Sequence, residues 1–175
     1  MGLNAKALLD GIQGHSNIHK GTLTEARVLV YLIDHGLIVS RPFDSNPDYD
    51  FVVQIERGHP WNRFLAIQVK SGNCSEDGRL FSFKATDNKR RTYTGRADFI
   101  AAFDNLNDRL FLVPPEELGK NGFIRLLPAK SGQRKKIKMA DDYDANTVLV
   151  KLIERHKADY ERLNPPPKSI SDLFK

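Results

Sequence analysis

Two β-prone runs separated by a short turn-forming segment constrain the fold of this chain more than any other feature of its sequence. Residues 49–56 (YDFVVQIE) and residues 64–71 (FLAIQVKS) are rich in β-branched and aromatic side chains. Residues 57–62, which lie between them, read RGHPWN, and glycine, proline and asparagine are typical of turns. The pattern predicts an antiparallel β-hairpin.

The position of the turn predicts which residues of the hairpin face each other. If the turn is centred near His59 and Pro60, residues whose numbers sum to about 119 or 120 pair across the two strands. Asp50 is then expected opposite Val69 or Lys70. A cross-strand ion pair with Lys70, worth about 0.2–1 kcal/mol, is one explanation of this placement. A functional site is the other.

Side chains alternate along the second strand of the hairpin. Leu65, Ile67 and Val69 share one apolar face, which we expect to lie in the core. Gln68 and Lys70 share the opposite face. An amide and an ammonium group are therefore expected to meet the carboxylate of Asp50 at one end of the hairpin.

Hydrophobic periodicity predicts a helix from Thr22 to Gly36. Residues 1–20, which precede it, are expected to form a short helix and then a loop at residues 14–20. Glu25, in the first turn of the predicted helix, has two interpretations. It completes a capping box with Thr22, or it projects onto the sheet edge that carries the polar groups of the hairpin. The apolar residues with the i, i+3, i+4, i+7 spacing of one helix face are Ala26, Leu29, Val30 and Ile33.

Turn residues divide the rest of the chain into short strands and a last helix. The predicted strands are residues 37–43, 80–84, 97–103, 109–113 and 123–127, and the predicted helix is 146–163. This order of elements predicts an α/β fold with one mixed central sheet flanked by helices. We expect a single domain over residues 1–163 and a mobile C-terminal tail over residues 164–175.

Length and composition exclude several classes of protein. The chain has 175 residues, of which 40% are hydrophobic and 28% charged, as in a soluble domain. The longest apolar run, Val28–Ile33, is far shorter than the roughly 20 residues of a membrane-spanning helix. Cys74 is the single cysteine, which excludes an internal disulfide and a cysteine-rich zinc site. We expect Cys74 to be a structural residue, no membrane partner, and a cytoplasmic location.

Basic residues are concentrated in two strips. Residues 84–96 carry five Lys or Arg and one acidic residue, and residues 130–138 carry five Lys or Arg and no acid. Because the formal net charge is only +5, the rest of the chain is slightly acidic. The strips are either solvated loops or a surface for a polyanion such as DNA. Tyr93 is expected either to stack on a base or to pack inward. The candidate DNA-binding residues are Lys89, Arg90, Arg91, Arg96, Arg134, Lys135 and Lys136.

Three stretches of the sequence resemble a known family. Glu25 in the opening helix, PDYDFVV at 47–53 and AIQVKS at 66–71 look like the motifs of the PD-(D/E)XK nuclease superfamily. The likeness covers residues 20–115 and is closest to the branch of group I intron homing endonucleases, whose last motif reads Gln-x-Lys. Archaeal Holliday-junction resolvases are similar over the same stretch.

This resemblance implies a restriction-endonuclease-like fold and a divalent-metal-dependent DNA endonuclease. Asp50 is then the central metal ligand, Glu25 an outer ligand, and Gln68 a ligand through its amide oxygen. Lys70 orients the attacking water or stabilises charge on the phosphate. The implied cofactor is Mg²⁺, which Mn²⁺ is expected to replace.

Several alternatives stay open at this point. Asp48 shares a strand face with Asp50 and is its rival as the metal ligand. Gln68 stands where the wider superfamily usually has an acid, so metal binding is expected to be weaker. DNA is the implied partner, and a dimer or tetramer is expected because cutting both strands calls for two sites. The other functions considered are a Holliday-junction resolvase, a non-catalytic DNA-binding module, and a structural protein with an acidic partner.

Overall fold

The computed structural model describes residues 17–43, 48–55, 58–60, 62–127 and 137–165. The expected short helix within residues 1–13 and the tail from residue 166 onward lie outside the described residues. None of the described helices combines the length and apolar character needed to span a bilayer. The elements are, in chain order, α1 (Asn17–Asp34), β1 (Ile38–Ser40), β2 (Phe51–Ile55), β3 (Arg63–Cys74), β4 (Leu80–Lys84), β5 (Phe99–Asp104), β6 (Arg109–Val113), a 3-10 turn (Pro115–Glu117), β7 (Asn121–Arg125), α2 (Ala140–Tyr143) and α3 (Ala145–Leu163).

The strands form one seven-stranded mixed sheet, as the sequence predicts. β1, β2, β3, β4 and β7 are neighbours in that order, and all of these pairs are antiparallel. β5 pairs with β3 in parallel, and β6 adds to β5 in antiparallel. β3 is the centre of this arrangement because it pairs with three strands. β2 pairs with it up to Ile67, and β4 pairs with it from Gly72.

The β2–β3 hairpin forms as predicted, but its register differs by one or two residues. Phe51 pairs with Ile67, so paired residue numbers sum to 118 instead of 119 or 120. The backbone N–H of Asp50 donates to the carbonyl of Ile67 at 2.9 Å. β2 ends at Ile55 and β3 begins at Arg63, so the centre of the turn is His59 and not the bond between His59 and Pro60. The predicted pairing of Asp50 with Val69 or Lys70 is therefore wrong, because several adjacent turn-forming residues leave the turn centre undetermined.

The helix α1 begins five residues earlier than predicted. Residues 17–20 belong to the helix and not to a loop. The hydroxyl of Thr22 donates to the carbonyl of Ile18 at 3.1 Å, a bond within the helix interior. Thr22 is therefore not an N-cap, and the capping-box interpretation of Glu25 is wrong.

The buried face of α1 also differs from the predicted one. Thr24, Val28 and Leu32 are buried, whereas Val30 and Ile33 are exposed. The helix carries apolar side chains on two faces, and the sheet packs against the line of residues spaced by four. Periodicity finds the helix, but it does not decide which of two apolar faces meets the sheet.

A hydrophobic core lies on each side of the sheet. β5 is buried along its whole length, and alternate residues contribute to the two cores. The first core joins α1 and α3 to the sheet, and the second contains Phe81, Phe83, Phe111 and Tyr93. At Gly72 a Cβ atom would lie 2.3 Å from the ring of Phe81, so only glycine fits where β3 meets β4.

Cys74, the last residue of β3, contacts the polar turn between β5 and β6. Its thiol donates to the carboxylate of Asp104 at 3.1 Å, and Asp104 is only 1% exposed. Asp104 also accepts from the side-chain amide of Asn107 at 2.6 Å and from the backbone N–H of Leu106 at 3.0 Å. Burial and the neighbouring carboxylate raise the pKa of the Cys74 thiol to about 12. These contacts agree with a structural role.

Candidate active site

The central strand β3 positions two of the predicted site residues between its antiparallel partners. Gln68 and Lys70 lie after the last pair with β2 and before the first pair with β4. Parallel pairing with Ile100 and Ala102 of β5 fixes the backbone there. Alternation along the strand places both side chains on the same side of the sheet, opposite the apolar side chains of the first core.

Asp50 lies one residue before β2, and its carboxylate faces the same stretch of β3. Its Oδ2 atom accepts from the backbone N–H of Val69 at 2.7 Å and from the side-chain amide of Gln68. That amide also donates to the carbonyl of Val69 at 3.2 Å, and Gln68 is 8% exposed. Two strands of one hairpin thus hold the carboxylate and the amide together.

Burial controls the protonation of Asp50. Loss of hydration raises the pKa of this carboxyl above its ordinary value. The hydrogen bond from Val69 and the charges of Lys70 and Arg41 oppose this change without cancelling it. A carboxylate in this position is stabilised by any further cation that reaches it.

Lys70 contributes a half-buried ammonium group to the site. Its Nζ atom donates to the hydroxyl of Tyr93 at 2.9 Å and lies 4.8 Å from the centre of the Tyr93 ring. Burial lowers the pKa of Lys70, and the negative charges of Asp50 and Asp87 oppose that lowering. Lys70 and Asp50 are thus electrostatically coupled, although they are not direct partners in the hairpin.

Glu25 approaches the site from α1. It forms an ion pair with Arg41, which follows β1. Burial and the charge of Asp50 raise the pKa of Glu25, whereas Arg41 and Lys70 lower it. The charges of Asp50 and Lys70 therefore act on Glu25, as the second interpretation of Glu25 requires.

Asp48, the rival of Asp50, has a different environment. Its carboxylate forms an ion pair with Arg96. Asp50, in contrast, accepts hydrogen bonds from the two neighbouring residues Gln68 and Val69. The geometry therefore favours Asp50 as the carboxylate that works with Gln68.

The donor set suits a hard divalent cation with mixed ligands. Among the described residues, no three His, Cys, Asp or Glu side chains are grouped closely enough to hold a metal ion. Two carboxylates, Asp50 and Glu25, and the amide of Gln68 supply oxygen donors of the kind that Mg²⁺ accepts. The amide nitrogen of Gln68 points to Asp50, so a turn of the amide group is needed to present its oxygen.

The structure places the residues of the first basic strip in two different environments. Lys89 and Arg90 are exposed. Arg91 and Arg96 form ion pairs with Asp87, at 2.8 Å and 3.4 Å, and Arg96 is only 17% exposed in its side chain. The candidates Arg134, Lys135 and Lys136 of the second strip lie outside the described residues.

Tyr93 and Arg41 make the contacts that sequence reasoning missed. Tyr93 is 5% exposed, so it packs inward, and the alternative that it stacks on a base is wrong for this structure. Arg41 joins Glu25 through an ion pair and lies 5.6 Å from the ring centre of Phe51. No local pattern in the sequence indicates either contact.

Comparisons with known proteins agree with this fold and these motifs. A solved structure described as a bacterial homing endonuclease, I-Ssp6803I, superposes with a TM-score of 0.61 at 17% sequence identity. The match covers 84% of this chain and 98% of that one, and it shows a restriction-endonuclease-like α/β fold. No curated protein matches the sequence. A family model described as PD-(D/E)XK endonuclease matches residues 15–146, three quarters of the chain. The chain therefore belongs to the PD-(D/E)XK endonuclease family.

Proposed function

We propose that this protein is a divalent-metal-dependent DNA endonuclease whose site consists of Asp50, Gln68, Lys70 and Glu25. The observation that carries the proposal is the half-buried carboxylate of Asp50, which accepts from Gln68 and is coupled to the ammonium group of Lys70. Family membership supports a nuclease and DNA as its substrate.

Each residue of the site has a distinct part in the proposed hydrolysis. Asp50, Glu25 and the amide oxygen of Gln68 would hold the cation. When bound, the cation supplies a polarised water and neutralises charge on the scissile phosphate. Lys70 supplies a compact positive charge beside the oxygen atoms on which negative charge develops. Because these groups are partly buried, the charge of Lys70 acts more strongly than it would in water.

The test is cleavage of supercoiled plasmid and of branched DNA in the presence of Mg²⁺ or Mn²⁺. Lys70→Ala is expected to lower the rate of metal-dependent cutting about 100-fold to 1,000-fold and to keep DNA binding, because it removes charge stabilisation from the reaction. Lys151→Ala, which removes an exposed lysine of α3 outside both basic strips, is the matched control and is expected to cut normally. If the wild-type protein cuts no faster than Lys70→Ala with either metal, the endonuclease proposal is wrong.

A non-catalytic DNA-binding module is the second candidate, and the amide at position 68 favours it. Gln68 brings no negative charge to the cation, so metal affinity is expected to be lower than with an acid there. This candidate predicts DNA binding at low salt without cleavage of any substrate. Preferential cutting of four-way junctions would instead support a Holliday-junction resolvase. Failure to bind DNA at low salt would favour an acidic protein partner.

We also propose that the active form contains at least two copies of the chain. One candidate site per chain supports this proposal, because cutting both DNA strands at one place calls for two sites. Sedimentation of the protein with and without DNA is expected to give a dimer or a tetramer. A monomer in both conditions would contradict this proposal and would favour nicking of one strand.

A further inference from the structure

Tyr93 lies between two cations, one of which is the lysine of the candidate site. The Nζ atom of Lys70 donates to its hydroxyl at 2.9 Å and lies 4.8 Å from its ring centre. The guanidinium carbon of Arg96 lies 4.7 Å from the same ring centre. A guanidinium group at this distance is attracted by the electrons of an aromatic ring. Tyr93 therefore binds Arg96 through its ring and Lys70 through its oxygen atom.

Tyr93 is itself firmly placed. It belongs to the second core, together with Phe81 and Ile100. Its backbone carbonyl accepts from the N–H groups of Arg96 and Ala97 at 2.9 and 3.1 Å. A buried, hydrogen-bonded ring is a rigid support for the long and flexible side chain of a lysine.

Arg96 braces the ring from outside the core. Its guanidinium forms ion pairs with Asp48 and Asp87 and donates to the backbone carbonyl of Thr92. Arg91 stabilises the same loop, which joins β4 to β5. It donates to Asp87 through its backbone N–H at 2.9 Å and through its side chain at 2.8 Å. These contacts hold Arg96 in the loop, against the face of the tyrosine.

We propose that Tyr93 is a positioning residue that holds the ammonium group of Lys70 in the candidate site, with Arg96 bracing the ring. A residue that only filled the core would need no hydroxyl, whereas this hydroxyl accepts a hydrogen bond from the one lysine of the site. The significance of this contact for cleavage rests on the proposed endonuclease function. The contact itself does not depend on that function.

The first test observes the ammonium group directly, without any activity. In a proton–nitrogen correlation spectrum of lysine side chains in cold, mildly acidic buffer, we expect one slowly exchanging ammonium signal that Lys70→Met removes. Tyr93→Phe keeps the ring in the core but deletes the acceptor, so the signal is expected to vanish through fast exchange with water. Tyr143→Phe, which removes a hydroxyl that donates to Glu117, is the matched control and is expected to keep it. A signal that persists in Tyr93→Phe would overturn the proposal.

The second test is a double-mutant cycle on single-turnover cleavage. Tyr93→Phe is expected to lower the single-turnover rate at saturating enzyme about threefold to tenfold, the range for loss of one hydrogen bond, with the half-saturating enzyme concentration unchanged. In the Lys70→Met background the same substitution is expected to have no further effect, because the residue it positions is gone. An equal loss in both backgrounds would show a merely structural role and overturn the proposal.

The two tests separate this proposal from the proposed function. If the wild-type protein cuts no DNA but the ammonium signal vanishes in Tyr93→Phe and persists in Tyr143→Phe, the endonuclease proposal fails and the positioning of Lys70 stands. If the wild-type protein cuts DNA and Tyr93→Phe changes neither signal nor rate, the endonuclease stands and the positioning role fails.

Discussion

Gln68 donates its side-chain amide to Oδ2 of Asp50, the same oxygen atom that accepts from the backbone N–H of Val69. Both bonds go to one oxygen and do not engage Oδ1 of the carboxylate. The amide therefore satisfies the carboxylate without adding charge. This relationship makes the consequences of an acid at position 68 predictable.

Gln68→Glu is expected to destabilise the metal-free protein near neutral pH, because two carboxylates then face each other in a partly buried site. A loss of about 1–3 kcal/mol in the free energy of unfolding corresponds to a melting temperature lower by roughly 2–12 °C. Added Mn²⁺ is expected to raise the melting temperature of the variant more than that of the wild-type protein. Gln68→Met, which deletes the amide without adding charge, is the control and is expected to gain nothing from Mn²⁺ beyond the wild-type shift.

Asp50→Asn is expected to change the pH dependence of stability. Burial raises the pKa of Asp50, so between the unfolded-state and folded-state pKa values the folded chain binds more protons, and stability falls as pH rises. The asparagine keeps an oxygen acceptor for Val69 but cannot ionise. Thermal melts are expected to show its advantage over the wild-type protein growing as the pH rises above about 4, the ordinary pKa of the group, and levelling off above the raised pKa. A difference that does not change with pH would contradict this assignment.

Asp77→Asn offers a control of opposite sign. The hydroxyl of Ser75, which donates to the exposed Asp77 at 2.6 Å, lowers the pKa of this carboxyl. A lowered pKa stabilises the folded chain above the unfolded-state value and loses this effect as pH falls. Relative to the wild-type protein, Asp77→Asn is therefore expected to lower the free energy of unfolding more at neutral pH than in acid.

Two glycine substitutions are expected to act in opposite directions. Gly21 lies inside α1, and a Cβ atom there would meet nothing within 4 Å, so Gly21→Ala is expected to raise the free energy of unfolding by about 0.5–1 kcal/mol. At Gly72 the Cβ atom would lie 2.6 Å from the backbone oxygen of Ser82 as well as against the ring of Phe81. Gly72→Ala is expected to lower that free energy by about 1–3 kcal/mol. Urea denaturation of both variants measures the changes, and equal effects of one sign would contradict the packing described here.

The second basic strip is expected to bind DNA phosphates. Removal of one such cation reduces the slope of log affinity against log salt concentration by about 0.9, so changing Arg134, Lys135 and Lys136 to alanine should flatten the slope by up to about 2.7. Cleavage of saturating DNA is expected to persist. Arg155→Ala, which removes an exposed arginine of α3, is the control and should leave the slope unchanged. An unchanged slope in the triple variant would show that these charges are only solvated.

If the salt slope does not change in the triple variant, the DNA-binding surface is expected at the first basic strip. Lys89 and Arg90 are exposed, so their replacement by alanine is expected to lower the salt slope by up to about 1.8. Arg91 is held by Asp87, and its replacement is expected to affect the stability of the loop more than the slope.

Local sequence patterns were sufficient to predict most strands and the β2–β3 hairpin, but not the pairing of strands that lie far apart in the chain. β4 and β6 have the predicted bounds, because turn-forming residues flank both of them. The parallel pairing of Ile67 with Phe99 joins residues more than thirty positions apart, and it depends on burying both faces of β5. Such a pairing leaves no periodic signal in either strand alone.

The residues of the candidate site were easier to predict from the sequence than the contacts that they make. Asp50, Gln68 and Lys70 come close together because one hairpin carries them, and a hairpin is determined largely by local sequence. Tyr93 and Arg41 reach the same place from other segments, through contacts that no spacing rule relates to the hairpin. The register error at Asp50 has a different and local origin, since a shift of one or two residues is a matter of turn geometry.

The hydrogen bond from Cys74 to Asp104 has a practical consequence for the chemistry of the protein. With its pKa raised to about 12, the thiol is almost entirely protonated at pH 7, and the thiolate is the form that reacts with oxidants and alkylating reagents. Cys74 is therefore a poor nucleophile although part of its surface is accessible to solvent. A new cysteine placed at an exposed position could be labelled selectively in the presence of the native one.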